Sequence, residues 1–245
     1  MKLLFSLCLL VITAPVMAQI ADVKDVINRA RATVSTDDHL DGLVTLQISG
    51  RLEPAGTQVP PATVVIIARK PSSQRMEIRI DDIVETHILN GDDACIIRSN
   101  LQEGASQMRL LTPPERARVA FSTRQFFSFY RPDFKNGEMV TYEGIEQRRG
   151  IRCHKLLYAY PDGLRTIRYF SVNDDKLIST ITDMNLESVS IGVQNIGGIR
   201  FPEAIEYYVD GELLHTVFLT SIRTNKPLQE GIFDIPKGQK KKVSP

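Results

Sequence analysis

Arg75-Met76-Glu77-Ile78-Arg79-Ile80 changes from charged to apolar at every step. In an extended chain successive side chains leave opposite faces, so this stretch reads as a strand with one wet and one buried face. Just upstream, Thr63-Val64-Val65-Ile66-Ile67-Ala68 is apolar on both faces, which predicts a strand covered on each side. Further back, Val44, Leu46 and Ile48 alternate with Thr45, Gln47 and Ser49 and predict another half-buried strand. The period differs before Asp41-Gly42. There Val23, Val26, Ile27, Ala30 and Val34 share one stripe with Lys24, Asp25 and Arg29 opposite, predicting an amphipathic helix over 20–34.

Downstream, Asn90-Gly91, Asp162-Gly163 and Asp210-Gly211 are hairpin turn signals flanked by β-rich segments. Further strands are expected near 83–89, 94–99, 138–146, 151–160, 164–172, 177–182, 186–193, 203–209 and 212–223. The expected sheet has about ten or eleven short antiparallel strands, with none of the strand–helix alternation of a doubly wound nucleotide fold. One helical insertion interrupts them. Pro113-Pro114 can open a helix, Pro132 should end it, and residues 121–134 hold six of the chain's 17 aromatic side chains. The six are Phe121, Phe126, Phe127, Phe129, Tyr130 and Phe134. A sheet this long must curl. The expected fold is therefore mainly β with helices (α+β), a curled antiparallel sheet or incomplete barrel. The aromatic insertion reads either as a core helix or as a movable cover over an apolar hollow.

The chain has 245 residues with 30 Lys or Arg against 29 Asp or Glu. This balance lacks the basic face of a nucleic-acid binder. Lys2, the apolar run Leu3–Thr13 and Val16-Met17-Ala18 read as a secretory signal peptide cleaved after Ala18, and place the mature protein in a periplasm. Lys237–Pro245, with Lys240-Lys241-Lys242, reads as a disordered basic tail, leaving one domain over 19–237.

No metal or cofactor motif is present. His39, His87, His154 and His215 are scattered, and Cys95 and Cys153 are far from a CxxC spacing. Cys153-His154 is the nearest approach to a nucleophile and base, but neighbours in a strand face apart, giving a buried Cys beside an outward His. An enzyme would have to use this pair. Asp37-Asp38-His39 reads as a solvated turn rather than a cation site. An oxidising compartment permits a Cys95–Cys153 disulfide, which the sequence neither requires nor excludes.

In order, the chain carries Ala21-Asp22-Val23 opening the first helix, a strand after Asp41-Gly42, and Asn90-Gly91-Asp92 before another strand. Next come Tyr142-Glu143-Gly144, Gly150-Ile151-Arg152-Cys153-His154-Lys155-Leu156 and Gly198-Ile199-Arg200-Phe201-Pro202. The series ends with Ile222-Arg223-Thr224-Asn225-Lys226-Pro227-Leu228 and Phe233-Asp234-Ile235-Pro236. This arrangement resembles the LolA/LolB-like superfamily, in particular bacterial outer-membrane lipoprotein-sorting proteins, over about residues 20–237. Cys95 departs from the aromatic usual after the Asn-Gly turn.

The resemblance implies an incomplete β-barrel with helices on its concave face, holding acyl chains without catalysis or cofactor. Lining candidates are Val44, Leu46, Ile48, Met76, Ile78, Phe121, Phe126, Phe127, Phe129 and Tyr130. The implied partners are a lipidated protein or a lipid, with an inner-membrane transporter or outer-membrane acceptor beyond it, for a monomeric carrier. A non-transporting envelope sensor or protein-interaction module of the same fold is the alternative.

Overall fold

The computed structural model describes residues 22–56 and 59–236. The leader read at residues 1–18 and the tail read from residue 238 lie outside the described residues.

The helices are α1 (Val23–Val34), α2 (Asp37–Asp41) and α3 (Pro113–Ser128). Before α3 come β1 (Thr45–Pro54), β2 (Ala62–Arg69), β3 (Ser73–Ile80), β4 (Ile83–Asn90), β5 (Asp93–Asn100) and β6 (Ala105–Leu110). After it come β7 (Met139–Arg148), β8 (Ile151–Ala159), β9 (Arg165–Ser171), β10 (Leu177–Thr182), β11 (Leu186–Ile191), β12 (Gln194–Ile196), β13 (Ile199–Phe201), β14 (Ala204–Val209) and β15 (Glu212–Thr224). Asp22 caps α1 by accepting from Lys24 N–H, and Thr36 caps α2 by accepting from His39 N–H.

Thirteen strands form one antiparallel sheet in the order β6-β5-β4-β3-β2-β1-β15-β14-β11-β10-β9-β8-β7; β12 and β13 form a separate hairpin. The first strand thus pairs with the last at the sheet's centre, and β6 and β7 are its two edges. The sheet does not close into a barrel. The chain passes from one edge to the other through α3, so the aromatic insertion has to cross the concave face. Asp210 (φ 52°) and Gly211 (φ 87°) both adopt left-handed backbone between β14 and β15, as a tight hairpin requires.

The structure holds more strands than the ten or eleven expected. β6 and the β12–β13 hairpin match no segment placed from the sequence. Ala105-Ser106-Gln107-Met108-Arg109-Leu110 is exposed at every position, so it carries no alternation that burial would impose. The hairpin turns at Gly197-Gly198, within what read as a link between two longer strands.

Two apolar cores fill the concave side. One joins Leu40, Leu43, Leu46, Ile48, Ala68, Phe127, Ile199, Phe201 and Ile222. The other joins Val26, Ile27 and Ala30 of α1 to Leu156, Tyr158, Tyr160 and Phe170. On the convex face, Gln47, Ile67, Arg75, Ile88 and Cys95 form one row across five strands. The segment after β15 returns over this face. Gln47 Nε2 donates to Pro227 O, and the Arg69 guanidinium lies 5.0 Å from the centre of the buried Phe233 ring. This cover explains why residues 63–68 are apolar on both sides.

Two expectations need correction, and the disulfide that the sequence left open is absent. Val44 is 49% exposed, because β1 begins at Thr45 and its inward phase begins at Leu46. Cys95 and Cys153 are both free thiols. They sit on β5 and β8, near opposite ends of the thirteen-strand order. His154 points inward rather than outward: it is 8% exposed and its Nδ1 lies 3.2 Å from the Tyr142 hydroxyl.

Candidate functional site

α3 begins where two prolines need no backbone partners and Glu115 accepts from Thr112 N–H at 2.9 Å. It ends abruptly. Phe129 (φ 43°) and Tyr130 (φ 72°) both take left-handed backbone, which side chains of this size rarely adopt. Arg31 on α1, 1% exposed, holds that end in place. Its Nη1 donates to Ser128 O at 2.8 Å and to Phe129 O at 3.0 Å, and its other nitrogens face Asp37 and Asp41. A cation against the last carbonyls also complements the helix dipole. Arg131 joins the same two carboxylates from the far side. Burial opposes ionisation of Asp41, but hydrogen bonding to Arg131 and the nearby cations outweigh it and hold the carboxyl below its ordinary value.

The middle of α3 is anchored to the sheet. Thr123, fully buried, donates from Oγ1 to Gln74 Oε1 of β3 at 2.7 Å. Gln74 lies in a sealed concave row with Leu46, Ala68, Leu89 and Ala94. Phe121 packs edge-on against Tyr160 with ring centres 4.5 Å apart, and Tyr130 does the same against Phe170 at 5.2 Å. These contacts fix α3 and the residues just after it to the core.

The same segment roofs a hollow. A cavity of about 380 Å³ separates α3 from the concave side of β9, β10, β11 and β14. That volume falls in the range of small-ligand sites, roughly 300–1,000 Å³. Its roof is Phe121, Phe126, Phe129 and Tyr130, with Gln125 among them. Its floor is polar. Strand register sets Arg168, Thr180 and Ser188 side by side across three strands, with Thr166 and Thr182 in the next row. Thr182 Oγ1 is buried without a hydrogen-bond partner among the described residues.

Arg168 is 6% exposed, and its guanidinium sits 4.1 Å from the centre of the Tyr158 ring and 5.7 Å from that of Tyr130. Its Nη2 donates to Gln125 Oε1 in the roof. Burial pushes the Tyr158 phenol up to about 12, against the opposing pull of Arg168, so it stays neutral and donates to Tyr130 O. Burial likewise raises the Tyr207 phenol at the cavity's edge.

Of the ten candidate lining residues, the structure brings four to this cavity: Phe121, Phe126, Phe129 and Tyr130. Leu46, Ile48 and Phe127 belong to the first core, with Lys70 Nζ 5.6 Å from the Phe127 ring centre. Met76 is half-buried, and Ile78 lines a separate hollow with Ile80, Ile83, Glu85 and Arg98. Val44 lies outside. The floor residues were missed. A strand with polar side chains inward defeats the rule that polar means outward, and only the flanking aromatic residues hint at an inward arginine. Two further hollows beside α3 are lined by charged pairs, including Arg124, Glu138 and Asp162 at one and Asp41, Lys70 and Arg131 at the other.

Neither family models nor curated proteins match the sequence. Solved structures do. A DUF1329 family protein from Desulfovibrio piger superposes with a TM-score of 0.57 at 14% identity, over 86% of this chain and 97% of that one. A domain from Vibrio parahaemolyticus described as an outer-membrane lipoprotein-sorting protein gives 0.56 at 7% identity, over 85% and 94%. A LolA superfamily protein from Nitrosomonas europaea gives 0.55 at 11% identity, over 87% and 97%. The fold is LolA-like. The expected incomplete barrel is thus the observed one.

Proposed function

We propose that the protein binds an acyl chain or lipid in the hollow between α3 and the C-terminal half of the sheet, as a non-enzymatic carrier of the cell envelope. The observation that carries this reading is a preformed 380 Å³ cavity roofed by four aromatic side chains on and just after a helix that joins the two sheet edges. An exposed acyl chain costs about 0.8 kcal/mol per CH₂ in water, and an apolar roof offsets that cost without a covalent step. The likeness to a lipoprotein-sorting domain supports the same reading, and the signal-peptide pattern supports its location in a periplasm. A lipidated protein, received from an inner-membrane transporter or passed to an outer-membrane acceptor, is the cargo this reading favours.

The test is organic extraction of the protein isolated from its native envelope, followed by lipid mass spectrometry. Bound lipid is expected, and Phe126→Asp or Phe129→Asp should reduce it several-fold with folding retained. Protein without lipid, and without uptake of an acyl probe, would remove the reading.

A second reading, a protein-interaction module, is favoured by β6. This edge strand is exposed throughout, with Leu110 at 66%, and an unpaired edge can accept a strand from a partner. A stable protein complex that survives blocking of the cavity would favour it.

A further inference from the structure

The two buried arginines on the concave side are treated oppositely. Arg31 faces two carboxylates. Arg168 faces none: among the described residues it enters no ion pair, and its polar partners, the Gln125 amide and the Tyr158 hydroxyl, are neutral. An arginine stays ionised at any physiological pH, and burying a charge without a counter-charge is costly. The Tyr158 and Tyr130 rings recover part of that cost through their π faces, but they leave the fork of N–H donors unmatched by any anion. The same floor carries Thr180 and Ser188 beside Arg168, and the unpartnered Thr182 hydroxyl one row away. Facing them across the hollow are Phe126 and Phe129. The cavity is therefore amphipathic, with hydrocarbon above and a cation among hydroxyl groups below.

We infer that the ligand is an anionic amphiphile whose charged oxygens bind Arg168 and the Thr180–Ser188 row while its hydrocarbon packs under Phe126 and Phe129. This rests on the lipid-binding reading and narrows it to the head group. A carboxylate or a phosphate presents the two oxygens that a guanidinium fork takes up. Gln125 then acts as a stand-in that occupies the arginine until the ligand displaces it. In this state the ligand's own charge supplies the counter-ion that the chain lacks.

The experiment compares palmitic acid with its methyl ester by displacement of Nile red, a neutral probe, from the full chain. Lysophosphatidylglycerol serves as a third ligand to distinguish phosphate from carboxylate. The acid should bind at least about tenfold more tightly than the ester, the usual worth of a charge-assisted hydrogen bond. Arg168→Met should erase that preference, while Arg168→Lys keeps part of it. If removing the arginine prevents folding, Gln125→Glu provides the second variant. It places a carboxylate against Arg168 and should likewise abolish the preference in a folded protein. Tighter binding of the lysophospholipid than of the acid would assign the site to phosphate. Equal affinity for acid and ester, or a preference that survives both variants, would overturn the inference and leave lipid binding standing. No displacement by any of the three would overturn the lipid reading itself.

Discussion

Arg31 Nη1 lies 2.8 Å from the carbonyl oxygen of Ser128, so the first helix of the chain holds the last turn of the helix that roofs the cavity. This contact gathers elements far apart in sequence and fixes where α3 stops. Replacing Arg31 by Met leaves the Ser128 and Phe129 carbonyls without their donor at a buried helix end. The expected loss is about 2–3 kcal/mol in denaturant unfolding, from an unsatisfied polar group and a lost charged hydrogen bond. Amide exchange should quicken first over residues 121–130, the stretch that ends at the two left-handed residues. Uniform destabilisation, with no local loosening there, would show that Arg31 does not govern this end of α3.

A second anchor sits mid-helix. Thr123 Oγ1 donates to Gln74 Oε1 at 2.7 Å in a buried setting. Thr123→Val keeps the shape and strips the hydroxyl, leaving the Gln74 amide facing a methyl group. The expected cost is about 1–2 kcal/mol. Because the bond ties α3 to β3, the variant should also take up an acyl probe faster in stopped-flow mixing. A stability loss without faster uptake would mean that α3 does not open for the ligand.

Much of this architecture was written in alternation. Met76, Ile78 and Ile80 announce a half-buried strand, and the Asn90-Gly91 and Asp210-Gly211 turns give the hairpins on which a thirteen-strand sheet depends. Pro113-Pro114 marks the start of α3 with equal clarity. What alternation cannot report is which face a polar residue takes when the interior itself is partly polar. Arg168 and Thr180 lie inward on the site's floor, and His154 lies inward beside Tyr142; all three are polar in local sequence. Ring packing from β8 and α3 decides their environment, and that packing is long-range. The aromatic cluster was legible as a group. Its division between core (Phe127) and roof (Phe126, Phe129) follows from the path of α3 between two sheet edges.

His154 and His215 make stability pH-dependent. Burial lowers the pKa of both; at His154 the Arg29 charge adds to this and Asp175 opposes it. The folded protein thus holds them neutral at a pH where the unfolded chain already binds protons. Their contribution is complete above the unfolded value near 6.5 and is lost as pH falls from there through the lowered folded pKa. Unfolding free energy should decline on acidification below about pH 6.5. His154→Gln should flatten part of that decline, and the double replacement with His215→Gln more of it. An unchanged slope in the double variant would assign the acid sensitivity to carboxylates.

Cys95 and Cys153 give a direct check on the sheet's long axis. Both are free and buried, and burial raises both thiol pKa values above normal. They should therefore resist an aqueous disulfide reagent in the folded protein and react together on unfolding. Reduction should leave the unfolding midpoint unchanged. A midpoint that falls on reduction would reveal a bond between β5 and β8, contrary to the two free thiols.

The last test concerns the seam between the first and last strands. Register shifts between Ser49 and Gly50 where β1 meets β15, and Gly50 pairs with Leu219 beyond the shift. A side-chain carbon at Gly50 would lie 2.6 Å from the carbonyl oxygen of Phe218, a distance that only backbone movement can relieve. Since β1 and β15 join the six strands before α3 to those after it, such movement would part the two halves of the sheet. Gly50→Ala should cost about 1–3 kcal/mol, the usual penalty of overpacking. Gly56, where an added carbon meets nothing within 4 Å, is the matched control and should change stability by less than about 0.5 kcal/mol. A tolerant Gly50 would mean that the bulge can slide, and that the halves are held by the helices on the concave face rather than by the central pairing.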